Sequence, residues 1–410
     1  MFKKVIYNTG SQIVGKVITA SITLVVTIII GRTLGESGYG DFTKIFVFVG
    51  YFYTLADFGL NAIFVRLSKE ELTLFKVLVG LRLLIGIVLA IVATLVAFLL
   101  PYNSAQNIGF APLVKIGIVI ASATIITQAL FTTANAYFQK NLRYDLSTIA
   151  AVTGYIFILA VAAIVSLTSA GILGYTIAYV VGGLVFVFAA YLIISKKLQR
   201  YFLPVFNWQQ SIHLLKLSWP IGTALVFNLI YFRIDVFILS NVRSSYEVGI
   251  YGLAYQFFEA ALAIPIFFAN AIYPVLAKLY LTDIGDFKRQ VLFWIKVLIS
   301  VSVILALALI IVAHFIPVVF QQRFPGSTQA LQILALGMPF FFISALFWHL
   351  LIIYGKQKLL IYIYGAGAVI NLIANLIFIP IYGYLAAAIT TIVSEAIIMV
   401  FLILAVKSHK

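Results

Sequence analysis

The 410-residue chain is 64% hydrophobic and only 10% charged, with a mean hydropathy of +1.14, far from the roughly 45–50% apolar and 25% charged composition of soluble domains. Water is excluded as its main solvent, and a soluble enzyme is excluded with it. The net charge of +15 is read as cytoplasmic loops facing anionic lipid, so no nucleic-acid partner is expected.

Apolar runs long enough to cross a hydrocarbon layer of about 30 Å predict helices over 11–34, 41–65, 75–100, 112–137, 146–167, 171–195, 214–240, 247–277, 289–318, 327–353, 358–380 and 384–406. The expected fold is all-α, a polytopic membrane protein of about twelve transmembrane helices. A barrel is rejected because Ile116–Leu130 and Val301–Ala313 do not alternate. The first apolar segment is long and no small-residue cleavage site precedes a soluble remainder, so it is expected to act as an uncleaved anchor. With both termini in the cytoplasm, 20 of the 27 basic residues, among them Lys69, Lys76, Arg82, Lys140, Arg200, Lys278, Lys356 and Lys410, lie on or near the inner boundary. Only Arg32, Arg243 and Arg323 fall outside, which fixes the expected orientation.

The longest loop, about 196–213, separates six spans from six and predicts an N-terminal lobe over 1–200 and a C-terminal lobe over 201–410. Arg32-x-x-x-Glu36-x-Gly38 after the first span recurs as Arg243-x-x-x-Glu247-x-Gly249 after the seventh, and Phe75-Lys76 recurs as Phe287-Lys288. Six spans separate the copies, so the lobes are expected to be parallel repeats around a central cleft.

A charge near the bilayer centre is costly, so intramembrane polar residues are the candidate functional groups. Gln12, Lys16, Thr19, Thr23 and Thr27 recur at steps of four, three, four and four and share one face of the first helix. Lys16 there either offers a cation to an anionic group in the cleft or snorkels to headgroups while the threonines bond their own backbone. Arg233 and Asp235 point to nearly opposite faces of the seventh helix, and Arg233 either reaches the cleft, snorkels outward or pairs with a neighbouring helix. Asp57, with Thr54 and Asn61, Asp235, with Asn228 and Tyr231, and Glu259, with Tyr255 and Asn270, are candidates for coupling a proton or cation; the competing reading is an interhelical salt bridge. Glu395 and His349 read as satisfied packing residues. With no Cys and four His lacking any ligand spacing, no metal or other cofactor is expected. No G-x-S-x-G elbow or phosphate loop is present, so no catalytic residues are assigned and ATP hydrolysis by this chain is excluded.

Gly31 to Gly40 (GRTLGESGYG), Ala56-Asp-Phe-Gly-Leu60 and Arg66, with Trp219-Pro220, Arg233-Ile-Asp235, Glu247-Val-Gly-Ile-Tyr251 and Asn371-x-x-x-Asn375 through Pro380, Gly383, Ala386–Ala388 and Thr390, resemble the polysaccharide-unit flippases, the Wzx-type O-antigen translocases of the multidrug/oligosaccharidyl-lipid/polysaccharide exporter superfamily. The resemblance covers essentially the whole chain. It implies a monomeric flippase of a bacterial or archaeal cytoplasmic membrane, carrying undecaprenyl-diphosphate-linked oligosaccharide to the outer leaflet by alternating access. Its expected partners are that lipid-linked substrate, membrane lipid, a polysaccharide polymerase and a chain-length regulator. It further implies that Lys16 and Arg233 hold the diphosphate and that Asp57, Asp235 or Glu259 couples an ion gradient. The rivals are a cation-coupled multidrug exporter of the same fold, which the stripe holding Lys16 disfavours, and a membrane glycan polymerase or ligase, which short outer loops disfavour. A non-transporting scaffold fits poorly with the intramembrane charges.

Overall fold

The computed structural model describes residues 2–67, 71–199, 201 and 203–408. Lys69, Arg200 and Lys410, used above to orient the chain, lie outside the described residues. In chain order the elements are α1 (Phe2–Asp57), α2 (Leu60–Arg66), α3 (Glu71–Leu99), β1 (Tyr102–Asn103), β2 (Ile108–Gly109), α4 (Pro112–Ala121), α5 (Ala123–Lys140), α6 (Tyr144–Ser166), α7 (Gly171–Leu198), α8 (Trp208–Val242), α9 (Ser245–Thr282), α10 (Ile284–Val319), α11 (Pro325–Leu336), α12 (Met338–Ile353) and α13 (Gln357–Lys407). Helix dominates because lipid offers an open backbone no hydrogen-bond partners.

Ten stretches among the described residues are long and apolar enough to cross a membrane. Two of them, Val14–Arg66 and Gln357–Lys407, run 53 and 51 residues, about twice what a ~30 Å core requires. Each is broken by a glycine with left-handed φ, Gly35 (φ 68°, ψ −174°) in α1 and Gly383 (φ 63°, ψ −140°) in α13. Those breaks fall in the gaps left between the hydropathy segments 11–34 and 41–65 and between 358–380 and 384–406. Two further spans are interrupted more gently, at Ser122 between α4 and α5 and at Gly337 between α11 and α12. The one departure from all-helix architecture among the described residues is a two-stranded antiparallel pair that registers Tyr102 with Gly109 and Asn103 with Ile108. Lys44, fully buried in α1, donates to the Gly109 carbonyl at 2.6 Å and so ties this hairpin down.

Two compact units emerge, Met1–Leu229 and Ile230–Lys410. The division falls inside α8 rather than in the loop at 196–213. That loop is strapped to the first unit: Val205 donates its amide to the Lys76 carbonyl at 3.0 Å, over Gly80, where a Cβ would overlap the Val205 carbonyl. Leu214 of α8 is then buried in the same apolar cluster as Phe64, Phe75, Leu78, Tyr137, Phe138 and Ile194. In this unit α6 packs on α1 and α7, and α3 on α5; in the second, α13 packs on α12, and α11 on α9 and α10.

The repeated Arg-x-x-x-Glu motif acquires a physical role in the second unit. Ser244 caps α9, its hydroxyl accepting from the Glu247 amide, and Arg243 pairs with Glu247 at 3.1 Å. The other Glu247 oxygen accepts the Tyr384 amide at 3.1 Å, one of the free N–H groups opened by the break at Gly383. A Cβ on Gly383 would overlap this oxygen and stand 2.9 Å from Arg243 Nη2.

Gly383→Ala therefore adds the strain of a left-handed alanine to a clash with the carboxylate. A loss of about 2 kcal/mol or more is expected, seen as a lower unfolding midpoint in detergent. Gly365→Ala, at a position where a Cβ meets nothing within 4 Å, should leave the midpoint unchanged or raised.

Candidate functional site

In the first unit the α1 stripe lies on a helix that begins well before the predicted span. Lys16 is exposed, Gln12, Thr19 and Thr23 are half-buried and Thr27 is buried. The threonine hydroxyls return to the backbone, Thr19 to the Gly15 carbonyl at 2.9 Å and Thr23 to the Thr19 carbonyl at 2.8 Å. Their face also meets tyrosine hydroxyls, Thr23 with Tyr155 and Thr27 with Tyr39. The threonines of the stripe are thus satisfied, and Lys16 is its exposed member.

Asp57 lies elsewhere in this unit, at the end of α1. The chain breaks at Phe58 and Gly59, both with positive φ, before α2 resumes. Arg82 of α3, counted from sequence among the boundary cations, is fully buried and spans this break. Its Nη2 donates to Asp57 Oδ1 at 2.5 Å, Asn61 Oδ1 at 2.8 Å and the Asp57 carbonyl at 3.2 Å, while Nη1 reaches the Ala129 carbonyl at 3.4 Å. Nη2 bonds both sides of the interruption while Nη1 ties the same guanidinium to α5, a two-nitrogen arrangement a lysine could not reproduce. Hydropathy alone hid this arginine because it stands among apolar neighbours near the start of a span; the Thr54, Asp57, Asn61 face was the signal that a buried donor was needed.

In the second unit, Arg233 and Glu259 form a two-pronged ion pair at 2.6 and 2.7 Å, and the guanidinium lies 5.4 Å from the Tyr255 ring. Two candidates of opposite sign thereby meet each other. Asp235, two residues on, faces the interior at 2% exposure. Its Oδ1 accepts the Val236 amide at 2.7 Å and its Oδ2 accepts from Tyr251 and, at 3.3 Å, Thr391. The Phe232 carbonyl, which in a regular turn pairs with the Val236 amide, accepts from the Tyr255 hydroxyl at 2.8 Å. Side chains thus add bonds to both groups of this rung of α8, which stays helical from Trp208 to Val242.

Beside Thr391, a line of neutral groups crosses α13: Thr390 donates to Asn375 Oδ1, Asn375 to Asn371 Oδ1 at 2.9 Å and Asn371 to Ser394 at 3.2 Å. One turn before Asp235, Tyr231 donates to Glu395 at 2.6 Å, and Glu395 is also 2% exposed. Both buried carboxylates of this unit are therefore bonded by neutral donors. His349 bonds the Ala345 carbonyl and Asn270, so its polar atoms are used in packing. Tyr251, Thr391 and the asparagine pair were the members not assigned a site role from sequence, although Asn371 and Asn375 stand one helical turn apart.

Removing Arg82 strands Asp57 and Asn61 at the helix break, whereas removing the carboxylate leaves a buried guanidinium. Arg82→Ala should cost on the order of 3 kcal/mol, measured as the unfolding midpoint, with Asp57→Asn costing less because Asp57 is partly open to solvent. A double-mutant cycle should return a coupling of about 1 kcal/mol or more; additive losses would separate the two residues.

Residues 5–280 match the family described as polysaccharide biosynthesis protein, and residues 220–377 match MatE. An uncharacterized membrane protein of Methanocaldococcus jannaschii is 28% identical over 120 residues, 28% of this chain and 24% of its own length. The fold is similar to that of lipid II flippase MurJ in an inward closed conformation, with TM-score 0.76 at 17% identity, covering 98% of this chain and 87% of that one. It is similar to an inward-facing multidrug resistance MATE family transporter of the MOP superfamily, with TM-score 0.75 at 12% identity, covering 95% and 94%. A MOP superfamily transporter from Pyrococcus furiosus matches with TM-score 0.63 at 14% identity, covering 99% and 95%. The chain belongs to the polysaccharide biosynthesis protein family, with the fold of MOP-type transporters.

Proposed function

We propose that this protein is a flippase that carries undecaprenyl-diphosphate-linked oligosaccharide from the cytoplasmic to the outer leaflet by alternating access, both termini being cytoplasmic. The family match over residues 5–280 carries the reading. The cargo unites a dianionic headgroup, a polar glycan and a hydrocarbon tail, and Lys16 supplies an exposed cation on an otherwise satisfied helix face. A charge-assisted bond to a phosphate oxygen is worth about 1.5–3 kcal/mol. Arg233 joins this task only by leaving Glu259, so Lys16 takes the larger share.

Asp235 is the proposed seat of ion coupling. A carboxylate held by two hydroxyls and one amide, with no cation among the described residues bonded to it, can exchange those donors for a cation. Glu259 and Asp57 already hold arginines and are assigned to structure. A second reading rests on the MatE match over residues 220–377 and the two buried carboxylates of the second unit: a cation-coupled exporter of organic cations.

Lys16→Ala should lower surface glycan by about tenfold at unchanged protein level, and Lys16→Arg should retain more; normal glycan in the alanine strain removes Lys16 from the mechanism. In liposomes loaded with a lipid-diphosphate oligosaccharide, imposed sodium and proton gradients should accelerate flipping by the wild type. Asp235→Asn should flatten that dependence. Gradient-driven efflux of an organic cation, with no glycolipid reaching the far leaflet, would transfer the assignment to the exporter.

A further inference from the structure

The two arms of α13, joined at Gly383 and bonded to each other through Asn375 with Thr390 and Asn371 with Ser394, line a groove of about 440 Å³. Its walls include Phe378 and Tyr382 on the first arm and Ile389 and Val393 on the second, all exposed, with the small Ala374 and Ala386 between them. Thr390 and Ser394 also line it, yet their hydroxyls are engaged by Asn375 and Asn371. The groove therefore offers mainly carbon to its occupant. From Ile370 to Tyr382 the first arm rises about 18 Å, comparable with one leaflet of a ~30 Å hydrocarbon core. With the C-terminus cytoplasmic, the Gly383 end faces the outer leaflet.

We infer that this groove is a binding site for the polyprenyl chain of a lipid-linked cargo, an assignment that rests on the flippase reading. Water gains nothing from such a lining and a polar headgroup would be left unpaired, so the occupant is hydrocarbon. The notches at Ala374 and Ala386 favour a chain with side methyls over a straight one. An isoprenoid carries a methyl on every fourth main-chain carbon, and the lining recurs at every fourth residue of each arm, Ile370, Ala374, Phe378 and Tyr382 on the first and Ala386, Thr390 and Ser394 on the second, about 6 Å apart. Wall and polar line are two sides of the same residues: a chain pressing on Thr390 and Ser394 bears directly on Asn375 and Asn371. The site thus places the tail against the outer half of α13, where a delivered lipid has its headgroup beyond the Gly383 turn.

The test uses the full chain in nanodiscs with a diazirine-bearing polyprenyl phosphate and, in parallel, a diazirine-bearing phospholipid. The polyprenyl probe should label peptides within 370–394, and unlabelled polyprenyl phosphate should compete while added phospholipid does not. Ala374→Phe and Ile389→Trp fill the groove; excluding about two methylenes should lower labelling by about tenfold. Leu376→Phe, on an exposed position that does not line it, should label as the wild type does. Competition within the wild type decides the matter even where a filled variant misfolds. Equal labelling by the phospholipid, or polyprenyl labelling spread over other helices, overturns the site. Flipping without groove labelling overturns this inference alone; groove labelling without flipping overturns the flippase reading and leaves a polyprenyl site.

Discussion

Inside hydrocarbon a backbone amide or a charge can bond only to other parts of the protein, so every interruption of a helix needs a partner built from side chains. Two breaks in this chain show such solutions. At Phe58 and Gly59 the fully buried Arg82 bonds both sides of the gap. At Gly383 the Glu247 carboxylate takes the Tyr384 amide, itself held by Arg243. Around Asp235, where α8 is unbroken, the carboxylate and Tyr255 add bonds to both groups of one helical rung. Among the charged residues that first stand out as functional candidates, Asp57 helps to repair backbone whereas Arg233 and Glu259 pair with each other.

The division explains how far the sequence could be read. Hydropathy locates the spans because each needs its own run of apolar residues, and it even marks the interruptions of α1 and α13. It does not say which acid meets which base. The Arg233 and Glu259 side chains are 26 positions apart and meet through the packing of α8 on α9; Arg82 and Asp57 are 25 apart and meet through α3 and α1. Either cation looks alike in a string of letters. The seam from Gln12 to Thr27 was legible as a polar face, but its tyrosine partners come from Tyr39 and Tyr155, distant in the chain. The tie between the 196–213 loop and the first unit was hidden for a similar reason: nothing in the loop composition announces that Val205 hydrogen-bonds α3 or that Leu214 completes an apolar cluster.

The internal repeat shows what duplication preserves and what it releases. In the first copy the glycine break, Gly35, precedes Glu36 directly and the helix runs on; in the second, Tyr246 occupies that place, Ser244 starts a new helix and Glu247 reaches across to the break at Gly383. The same Arg-x-x-x-Glu spacing thus sits at equivalent junctions while the connection around it differs. Sequence similarity identifies the junction; geometry identifies its partner.

The helix α13 gathers the remaining features. Its first arm carries Asn371 and Asn375, its second carries Thr390, Thr391, Ser394 and Glu395, and the break at Gly383 is the joint between them. Asp235 is bonded to the second arm through Thr391, and Glu395 returns from that arm to Tyr231 on α8. A ligand that replaces the Thr391 hydroxyl at Asp235 acts on the second arm alone, whereas a chain seated in the outer groove pushes on both. Two ligands that bias the spread of one hinged pair of helices are thermodynamically linked in both directions, whatever the distance between them. The size of that linkage is set by how differently each ligand binds two spacings of the arms, so a ligand that binds both spacings equally transmits nothing to the other site.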